Sequence, residues 1–100
     1  MAKGYWIAHL DVHDLDSYKL YVAAIAEPLR QHGGRFIVRA GAFEAKEGTV
    51  RSRHIVIEFP SYEAALACYD SPEYQRAIPL RTPASVAELL VVQGYDGQQP

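Results

Sequence analysis

The sequence predicts an α+β domain whose elements follow the ferredoxin-like order of strand, helix, strand, strand, helix, strand. Residues 4–12 and 51–59 alternate apolar and polar side chains, as strands with one buried face do. Between them, residues 14–34 place apolar side chains at helical spacing and end on a glycine pair. Two split βαβ halves of this kind (βαββαβ) form a four-stranded antiparallel sheet with both helices on one face.

Local signals in the first half of the chain delimit one helix and one hairpin. Asp14 is a candidate N-cap, and the glycine pair at 33–34 is the expected stop. Pro28 should kink or restart the helix, because proline lacks the backbone donor and clashes with the preceding turn. Residues 35–48 are predicted as the second strand, with Gly41 as a candidate bulge and a short turn into the third strand.

The stretch EFPSYEAALACYDSPEYQRA, residues 58–77, is interpreted as a strand end followed by two capped helical segments. Ser61 caps the first segment and Asp70 breaks it. Ser71 is the N-cap of the second segment, and Pro72 takes its first helical position, where a missing backbone donor costs nothing.

Length and the remaining segments indicate a single domain over residues 1–100. Residues 87–95, AELLVVQGY, are apolar enough for a fourth strand inside the sheet, and residues 96–100 are a polar tail expected to fray. The core is therefore predicted to span residues 4–95. A chain of this length buries only about two thirds of its unfolded surface, so a second copy docked on an apolar face would add stability.

Charge and composition exclude several classes of function. The ten basic and twelve acidic residues are scattered singly, and nucleic acid is not an expected partner, because phosphate binding needs concentrated positive charge. No stretch approaches the roughly 20 apolar residues of a membrane span, and the first residues lack the apolar run of a signal peptide. A single cysteine, Cys68, cannot form an internal disulfide, so a cytoplasmic location is expected.

The sheet face that carries no helices is expected to be mixed in character. By alternation it holds Ile7, Val56 and Ile37, which should not face water. The same face is expected to carry the polar side chains of His9, Glu58 and Arg39. Two copies packed sheet against sheet would enclose such a face, so a homodimer is predicted.

Several segments resemble one known family. They are GYWIAHLDVHDLDSYKLYV, GGRFIVRAG, RSRHIVIEFPSYEAALACYDSPEYQRA and VVQG, which together extend over residues 4–94. These segments resemble the bacterial family named domain of unknown function 1330, which is similar to dimeric α+β barrel proteins. That superfamily includes small monooxygenases, isomerases, haem-degrading enzymes and ligand-binding domains. The resemblance implies a homodimer with a cleft between sheet and helices in each subunit, and it implies no particular reaction.

Glu58 and Arg39 are the first candidate catalytic residues, since each lies among apolar strand neighbours. On adjacent strands and one face, their side chains would pair. In a site, Glu58 would be a general base with a pKa raised by burial, and Arg39 would hold a carboxylate or an enolate. The alternative is a structural ion pair in the dimer core. Both interpretations need a shared face, and a register shift of one residue would separate the two side chains.

His9 is the third candidate, as an assisting base or a proton sensor, and the alternative is a half-exposed strand histidine bonded to a neighbour. His9 and His13 do not lie on a helix, so they do not present two metal ligands on one face. No metal site and no cofactor are therefore expected. Binding of haem or flavin would depend on His9 as the one available strand ligand.

Four tyrosines on the predicted helices are candidate ligand-binding residues. They are Tyr18, Tyr21, Tyr69 and Tyr74. Their rings could wall a cleft for a small planar molecule while the hydroxyls reach the ligand, and the alternative is ordinary core packing. Arg76 and Arg81 could stand at the mouth of such a cleft, although a solvated surface is the favoured location for both.

Two classes of function follow from these candidates. The first is a small-molecule binding or processing protein with its ligand between sheet and helices. If it is an enzyme, the expected chemistry is cofactor-independent acid/base catalysis on a small organic acid or ketone, with Glu58 as base, Arg39 binding charge and His9 or a tyrosine assisting. The second class is a non-enzymatic homodimeric module whose buried polar residues only hold the dimer.

Overall fold

A computed structural model of the protein describes residues 2–100, which are organised around one sheet. The strands are β1 (Gly4–Val12), β2 (Arg35–Arg39), β3 (Arg53–Phe59) and β4 (Ser85–Gln93). The helices are α1 (Leu15–Gln31), α2 (Tyr62–Asp70) and α3 (Pro72–Arg81), and a 3₁₀ turn (Thr82–Ala84) joins α3 to β4. The order across the sheet is β2-β3-β1-β4, and each neighbouring pair is antiparallel. The predicted ferredoxin-like α+β fold is confirmed.

The predicted caps set the ends of α1. The Asp14 carboxylate accepts a hydrogen bond of 3.2 Å from the backbone N–H of Ser17. At the other end, Gly33 has a φ of 75° and Gly34 donates its N–H to the Leu29 carbonyl at 2.8 Å, which closes a Schellman motif. The helix continues through Pro28 to Gln31, so the restart that proline suggested does not occur.

The two helical segments after β3 also begin as their capping residues predict. The Ser61 hydroxyl accepts from the N–H of Ala64 at 3.0 Å. The Ser71 hydroxyl accepts from the N–H of Tyr74 at 3.2 Å and donates to the Cys68 carbonyl at 2.7 Å, so it serves the end of α2 and the start of α3 together. These bonds satisfy backbone groups that a helix end would otherwise leave unpaired.

The core lies between the sheet and the helices. Trp6 of β1 is 1% exposed, and its indole N–H donates to the Ala65 carbonyl of α2 at 2.9 Å. Its ring packs edge-on against Tyr74 of α3, with 4.7 Å between ring centroids. One side chain therefore joins β1 to both short helices. The other large core residues are Leu10, Tyr18, Tyr21, Ile25, Leu29, Ile55, Ile57 and Phe59.

The second strand is shorter than predicted and has its bulge in a different place. It ends at Arg39, because Ala40 takes a left-handed φ of 55° while its N–H donates to the His54 carbonyl at 2.9 Å. A loop of residues 40–52 replaces the predicted tight hairpin turn. The bulge falls at residue 37 instead of Gly41, so that Val38, rather than residue 37, stands opposite Val56.

The 40–52 loop is tied to the rim of the sheet by charge. The Arg51 guanidinium donates to Asp11 of β1 at 2.8 Å and to both carboxylate oxygens of Glu88 of β4, at 2.7 and 2.6 Å. Ser52 donates both its backbone N–H and its hydroxyl to Asp11 at 2.9 Å. Bidentate arginine–carboxylate pairs of this kind fix geometry as well as charge, so the loop returns to β3 at a defined position.

Candidate functional site

Glu58 lies on the open face of the sheet, where it is part of an ion pair with a neighbour that the sequence did not single out. Its carboxylate accepts from Arg35 of β2 at 3.0 Å and from the Tyr5 hydroxyl of β1 at 3.3 Å. The Arg35 hydrogen bond and charge hold the pKa of the Glu58 carboxyl below its ordinary value. The expectation that burial raises the Glu58 pKa is therefore wrong, because the hydrogen bond from Arg35 outweighs the effect of burial.

Arg39 lies on the opposite face, so the predicted pairing of Arg39 with Glu58 is also wrong. The bulge at residue 37 adds one residue to β2 and reverses the alternation beyond it. Arg39 stands opposite Ile55, whose side chain belongs to the core, and its guanidinium lies 4.1 Å from the centroid of the Phe36 ring. The side chain is thus on the helix side of the sheet.

His9 is paired with another histidine. On the open face, His9 of β1 stands opposite His54 of β3, with 2.8 Å between their Nδ1 atoms, and opposite Glu88 of β4. The Phe43 ring of the 40–52 loop meets the His54 ring edge-on, with 4.5 Å between centroids. An open recess of about 200 Å³ lies beside these histidines. The three predicted catalytic residues are therefore not brought together: Glu58 and His9 occupy separate clusters on one face, and Arg39 lies on the other.

Between the two open-face clusters runs an apolar row. The row contains one residue from each strand, and each residue stands opposite the next across the sheet. In sheet order these are Val38, Val56, Ile7 and Leu90. Val38 is 40% exposed and Leu90 is 51% exposed, so the row faces solvent in the single chain. One end of the face carries the Arg35–Glu58 pair, and the other carries the network around Arg51.

The helix side of the sheet contains a cavity of about 30 Å³ beneath α1 and α3. It is almost wholly apolar or aromatic, and its one charged wall residue is at the end of α3. The lining residues are Trp6, Ala8, Leu10, Tyr18, Tyr21, Ile25, Phe36, Ile55, Ile57, Arg81 and Leu89. The resemblance implied a cleft in this region, between the sheet and the helices.

Three of the four predicted tyrosines gather around this cleft. Tyr18 and Tyr21 line it from α1, with 5.7 Å between their ring centroids, and the Tyr21 hydroxyl forms a buried hydrogen bond of 2.7 Å with the Tyr74 hydroxyl. Burial raises the pKa of all three hydroxyls above the ordinary tyrosine value. Tyr69 packs edge-on against Trp6 and does not line the cavity, so it supports the wall from behind.

Two arginines on the cleft side are not among the predicted site residues. The sequence favours a solvated surface for Arg81, with the cleft mouth as the alternative, and the structure places it in the cavity wall. Its Nε atom is buried there without a hydrogen-bond partner among residues 2–100. Arg53 lies over the Tyr18 ring, with 5.2 Å from its guanidinium carbon to the centroid. The signal for Arg53 was its alternation with Ile55 and Ile57, which points it toward the helices.

The described part of the chain has neither a cluster of metal-ligating side chains nor a membrane-spanning helix. Within residues 2–100, no three histidine, cysteine or acidic side chains gather in a way that could hold a metal ion. Over the same residues, no helix combines the length and apolar character that crossing a bilayer requires. Cys68 is fully buried, and its thiol donates to the Pro28 carbonyl at 3.5 Å.

Solved structures share this fold at low sequence identity. A protein of unknown function from Rhodopseudomonas palustris, RPA0582, superposes with a TM-score of 0.74 at 15% identity, over 99% of this chain and 85% of that one. SnoaB, a cofactor-independent oxygenase from Streptomyces nogalater, superposes with a TM-score of 0.63 at 13% identity, over 100% of this chain and 97% of that one. A dimeric ferredoxin-like protein of unknown function from Thermobifida fusca superposes with a TM-score of 0.56 at 16% identity, over 92% of this chain and 89% of that one. At these identities the likeness establishes the fold alone.

The family of the chain is established from sequence. No functionally curated protein matches it. One family profile does match, and it spans nearly the whole chain, from the residue before β1 to the residues just after β4. The chain therefore belongs to the family described as Domain of unknown function (DUF1330), which it matches over residues 3–95.

Proposed function

We propose that this protein binds or processes a small molecule as a homodimer, with the ligand in the cleft between the sheet and the helices. The observation that carries the proposal is the cavity beneath α1 and α3, whose walls are apolar and aromatic apart from Arg81. Small-molecule sites are typically apolar pockets with a few convergent polar groups. Tyr18 and Tyr21 are the proposed ligand contacts, and Tyr74 positions the Tyr21 hydroxyl.

The ligand must open the cleft to enter it. The cavity of about 30 Å³ holds one or two water molecules, whereas a benzene-sized ligand occupies a cavity of about 150 Å³. Arg81 has the longest flexible side chain of the lining residues and sits at the end of α3. Movement of this side chain is therefore the proposed opening step, in the manner of the small lids that many binding sites use.

For a processing role, the cleft offers hydrogen-bond donors. Because burial raises the pKa of Tyr21, its hydroxyl stays protonated at neutral pH. When it accepts the hydrogen bond from Tyr74, its own proton is free to stabilise negative charge on a substrate oxygen. The reaction class we propose is cofactor-independent chemistry on a small organic acid or ketone. SnoaB, which shares the fold, is described as a cofactor-independent oxygenase. Glu58 and His9 lie outside the cleft and have no part in this proposal.

The proposed homodimer forms through the open sheet face. The apolar row of Val38, Val56, Ile7 and Leu90 would be the centre of the interface, with the polar clusters as its rim, which is the usual anatomy of protein interfaces. The Thermobifida fusca protein of the same fold is described as dimeric. The face is also self-complementary in charge, since each end carries both an arginine and a carboxylate.

Leu90→Lys tests the homodimer, because it places a charge in the centre of the apolar row. Size-exclusion chromatography with light scattering should give a dimer for the wild type and a monomer for Leu90→Lys. The matched control is Leu20→Lys, since Leu20 is 59% exposed on α1, away from the open face, and should leave the dimer intact. A monomeric wild type would contradict the interface.

Ala8→Leu tests the cleft, because Ala8 lines the cavity and the added carbons would fill it. A fragment screen by two-dimensional NMR, with neutral and acidic single-ring compounds at about 10 mM, should shift the signals of Tyr18 and Tyr21 in the wild type. Ala8→Leu should abolish these shifts. Ala87→Leu, a similar change on β4 outside the cavity lining, is the control. Fragments that bind only elsewhere, or none at all, would contradict the proposal.

A second candidate is a homodimeric module without a ligand. The observation that favours it is the Arg35–Glu58–Tyr5 cluster, a polar group on the open face whose members satisfy one another. In this case Glu58→Gln should weaken the dimer in dilution experiments. No compound should bind in the cleft of the wild type, so Ala8→Leu should behave like the wild type in the fragment screen. If Glu58→Gln leaves the dimer unchanged, the cluster does not hold it.

We also propose a cytoplasmic location. Cys68 is the single cysteine of the sequence, and it is buried as a thiol. Chains without disulfides are typical of reducing compartments. Cell fractionation followed by detection with an antibody should find the protein with cytoplasmic markers, and recovery with exported proteins would contradict this location.

A further inference from the structure

Three arginines at the cleft lack an acidic partner. Within residues 2–100, no carboxylate lies within 4.0 Å of Arg39, Arg53 or Arg81. The other arginines, Arg30, Arg35, Arg51 and Arg76, all pair with acids. The arginines without an acidic partner share one location, because each of the three guanidinium groups lies over an aromatic ring on the helix side of the sheet.

Each unpaired arginine has an aromatic neighbour in place of an acid. The guanidinium carbons of Arg39, Arg53 and Arg81 lie 4.1, 5.2 and 5.4 Å from ring centroids, those of Phe36, Tyr18 and Tyr21 respectively. All three rings line the cavity. A ring face attracts a cation without neutralising its charge. The three side chains are therefore held against the aromatic walls of the cleft with no carboxylate beside them within residues 2–100.

All three positive charges act on the Tyr18 hydroxyl. Burial raises the pKa of the Tyr18 hydroxyl, and the charges of Arg53, Arg81 and Arg39 all act to lower it. The Tyr18 side chain thus marks a place that all three guanidinium groups reach electrostatically. The geometry of Arg81 is independent evidence for a binding site. Arg81 lines the cavity, and its Nε atom is buried without a hydrogen-bond partner in the described chain. Most buried polar groups in native structures have a hydrogen-bond partner, so a buried donor without one is a candidate for binding a ligand.

We infer that the cleft takes a small monocarboxylic acid, with an apolar body in the cavity and the carboxylate on Arg81, supported at the mouth by Arg53 and Arg39. A planar guanidinium fork matches a carboxylate through two parallel hydrogen bonds. The apolar walls select against small inorganic anions, which have no body to bury. The carboxylate draws Arg81 off the Tyr21 ring and so opens the space that the acid occupies. This inference rests on the proposed cleft function and names its substrate class.

The test compares matched acids and amides. Benzoate is titrated against benzamide, and cyclohexanecarboxylate against cyclohexanecarboxamide, with chemical shifts of Tyr18 and Tyr21 as the readout at about pH 7, where the acids are ionised. Each acid should bind at least about tenfold more tightly than its amide. Its affinity should fall between about 20 mM and about 200 mM sodium chloride, because salt screens the charges.

Arg81→Met should weaken binding of the acids by about tenfold or more and leave that of the amides nearly unchanged. Arg53→Met should weaken the acids by about threefold, since it supplies charge at a distance. The matched control is Arg76→Met on the same helix, whose guanidinium pairs with Glu73 instead of a ring. Arg81→Lys keeps the charge and removes the fork, so it provides the same test if Arg81→Met does not fold.

The outcomes separate the two proposals. Equal binding of acids and amides in the cleft would overturn the carboxylate inference and leave the cleft function standing. Preference for the acids that survives both Arg81→Met and Arg81→Lys would also overturn it. If neither acids nor amides bind in the cleft at about 10 mM, the inference and the proposed function fail together.

Discussion

The hydroxyl oxygens of Tyr21 and Tyr74 lie 2.7 Å apart in the buried space where α1 packs on α3. The two residues are 53 positions apart in sequence, and the bond joins the two halves of the fold beside the cavity. Tyr74 is fully buried and Tyr21 is 5% exposed, so neither hydroxyl can exchange its partner for bulk water. Removal of one hydroxyl therefore leaves the other unsatisfied.

Tyr21→Phe and Tyr74→Phe should each lower the free energy of unfolding by about 1–2 kcal/mol, and the double variant should cost little more than either single one. Chemical denaturation of the four proteins in the cycle measures this coupling. Tyr62→Phe is the control, since the Tyr62 hydroxyl has no hydrogen bond within residues 2–100. Simple additivity of the two changes would show that the bond contributes nothing.

Glu58 should contribute stability that depends on pH. Its pKa is lowered in the folded protein by Arg35, so the contribution is fully present above the unfolded pKa of about 4.3 and is lost as pH falls through the lower folded value. The Tm of Glu58→Gln should lie below that of the wild type at neutral pH, and the gap should close in strong acid. Glu47→Gln, in the exposed loop, should show no gap, and a gap that widened in acid would contradict the ion pair.

The Cys68 thiol should be inert in the folded protein. Burial raises its pKa to about 12, and thiolates rather than thiols react with disulfide reagents. Titration with Ellman's reagent should detect no thiol under native conditions and one thiol per chain in denaturant. Ala67→Cys places a second thiol at the exposed neighbouring position and should react at once. Rapid native reaction of the wild type would mean that α2 opens readily.

Gly4 should not tolerate a side chain. A Cβ at this position would lie 2.6 Å from the Tyr62 Cα and closer still to the Ser61 carbonyl oxygen, both backbone atoms at the start of α2. Gly4→Ala should therefore lower the free energy of unfolding by about 1–3 kcal/mol, because β1 and α2 must separate. Gly41→Ala is the matched control, since no described atom lies within 4 Å of the added carbon there. Thermal denaturation measures both, and equal Tm values would contradict the close approach.

Much of the fold could be predicted because its signals are local. The alternation of apolar and polar side chains predicts a strand over residues 4–12, which are the observed bounds of β1. Asp14, Ser61 and Ser71 are the N-caps of the three helices, as predicted. Two of the four predicted tyrosines, Tyr18 and Tyr21, line the cavity together, since their helical spacing places them on one side of α1.

The candidate site was harder to predict, because it depends on contacts between distant segments. Simple alternation predicts that Arg39 shares a face with Glu58, and a single extra residue in β2 places it on the other face. Nothing in the residues around position 37 marks the bulge, which contains no glycine or proline. Arg81 resembles a surface arginine in sequence and becomes a cleft residue only when α1 packs on α3.

The sequence by itself determined the order of the elements, their caps and the amphipathic faces, since these depend on residues a few positions apart. Tertiary structure alone decided which charges meet. The register of β2 against β3 places Arg35 opposite Glu58, so these two side chains form the ion pair. The packing of the helices on the sheet places Arg39, Arg53 and Arg81 over aromatic rings, and none of the three has an acidic partner within the described residues. A one-residue shift in a strand leaves the local pattern intact and reverses the face of every side chain beyond it, which is why the fold was predictable and the site was not.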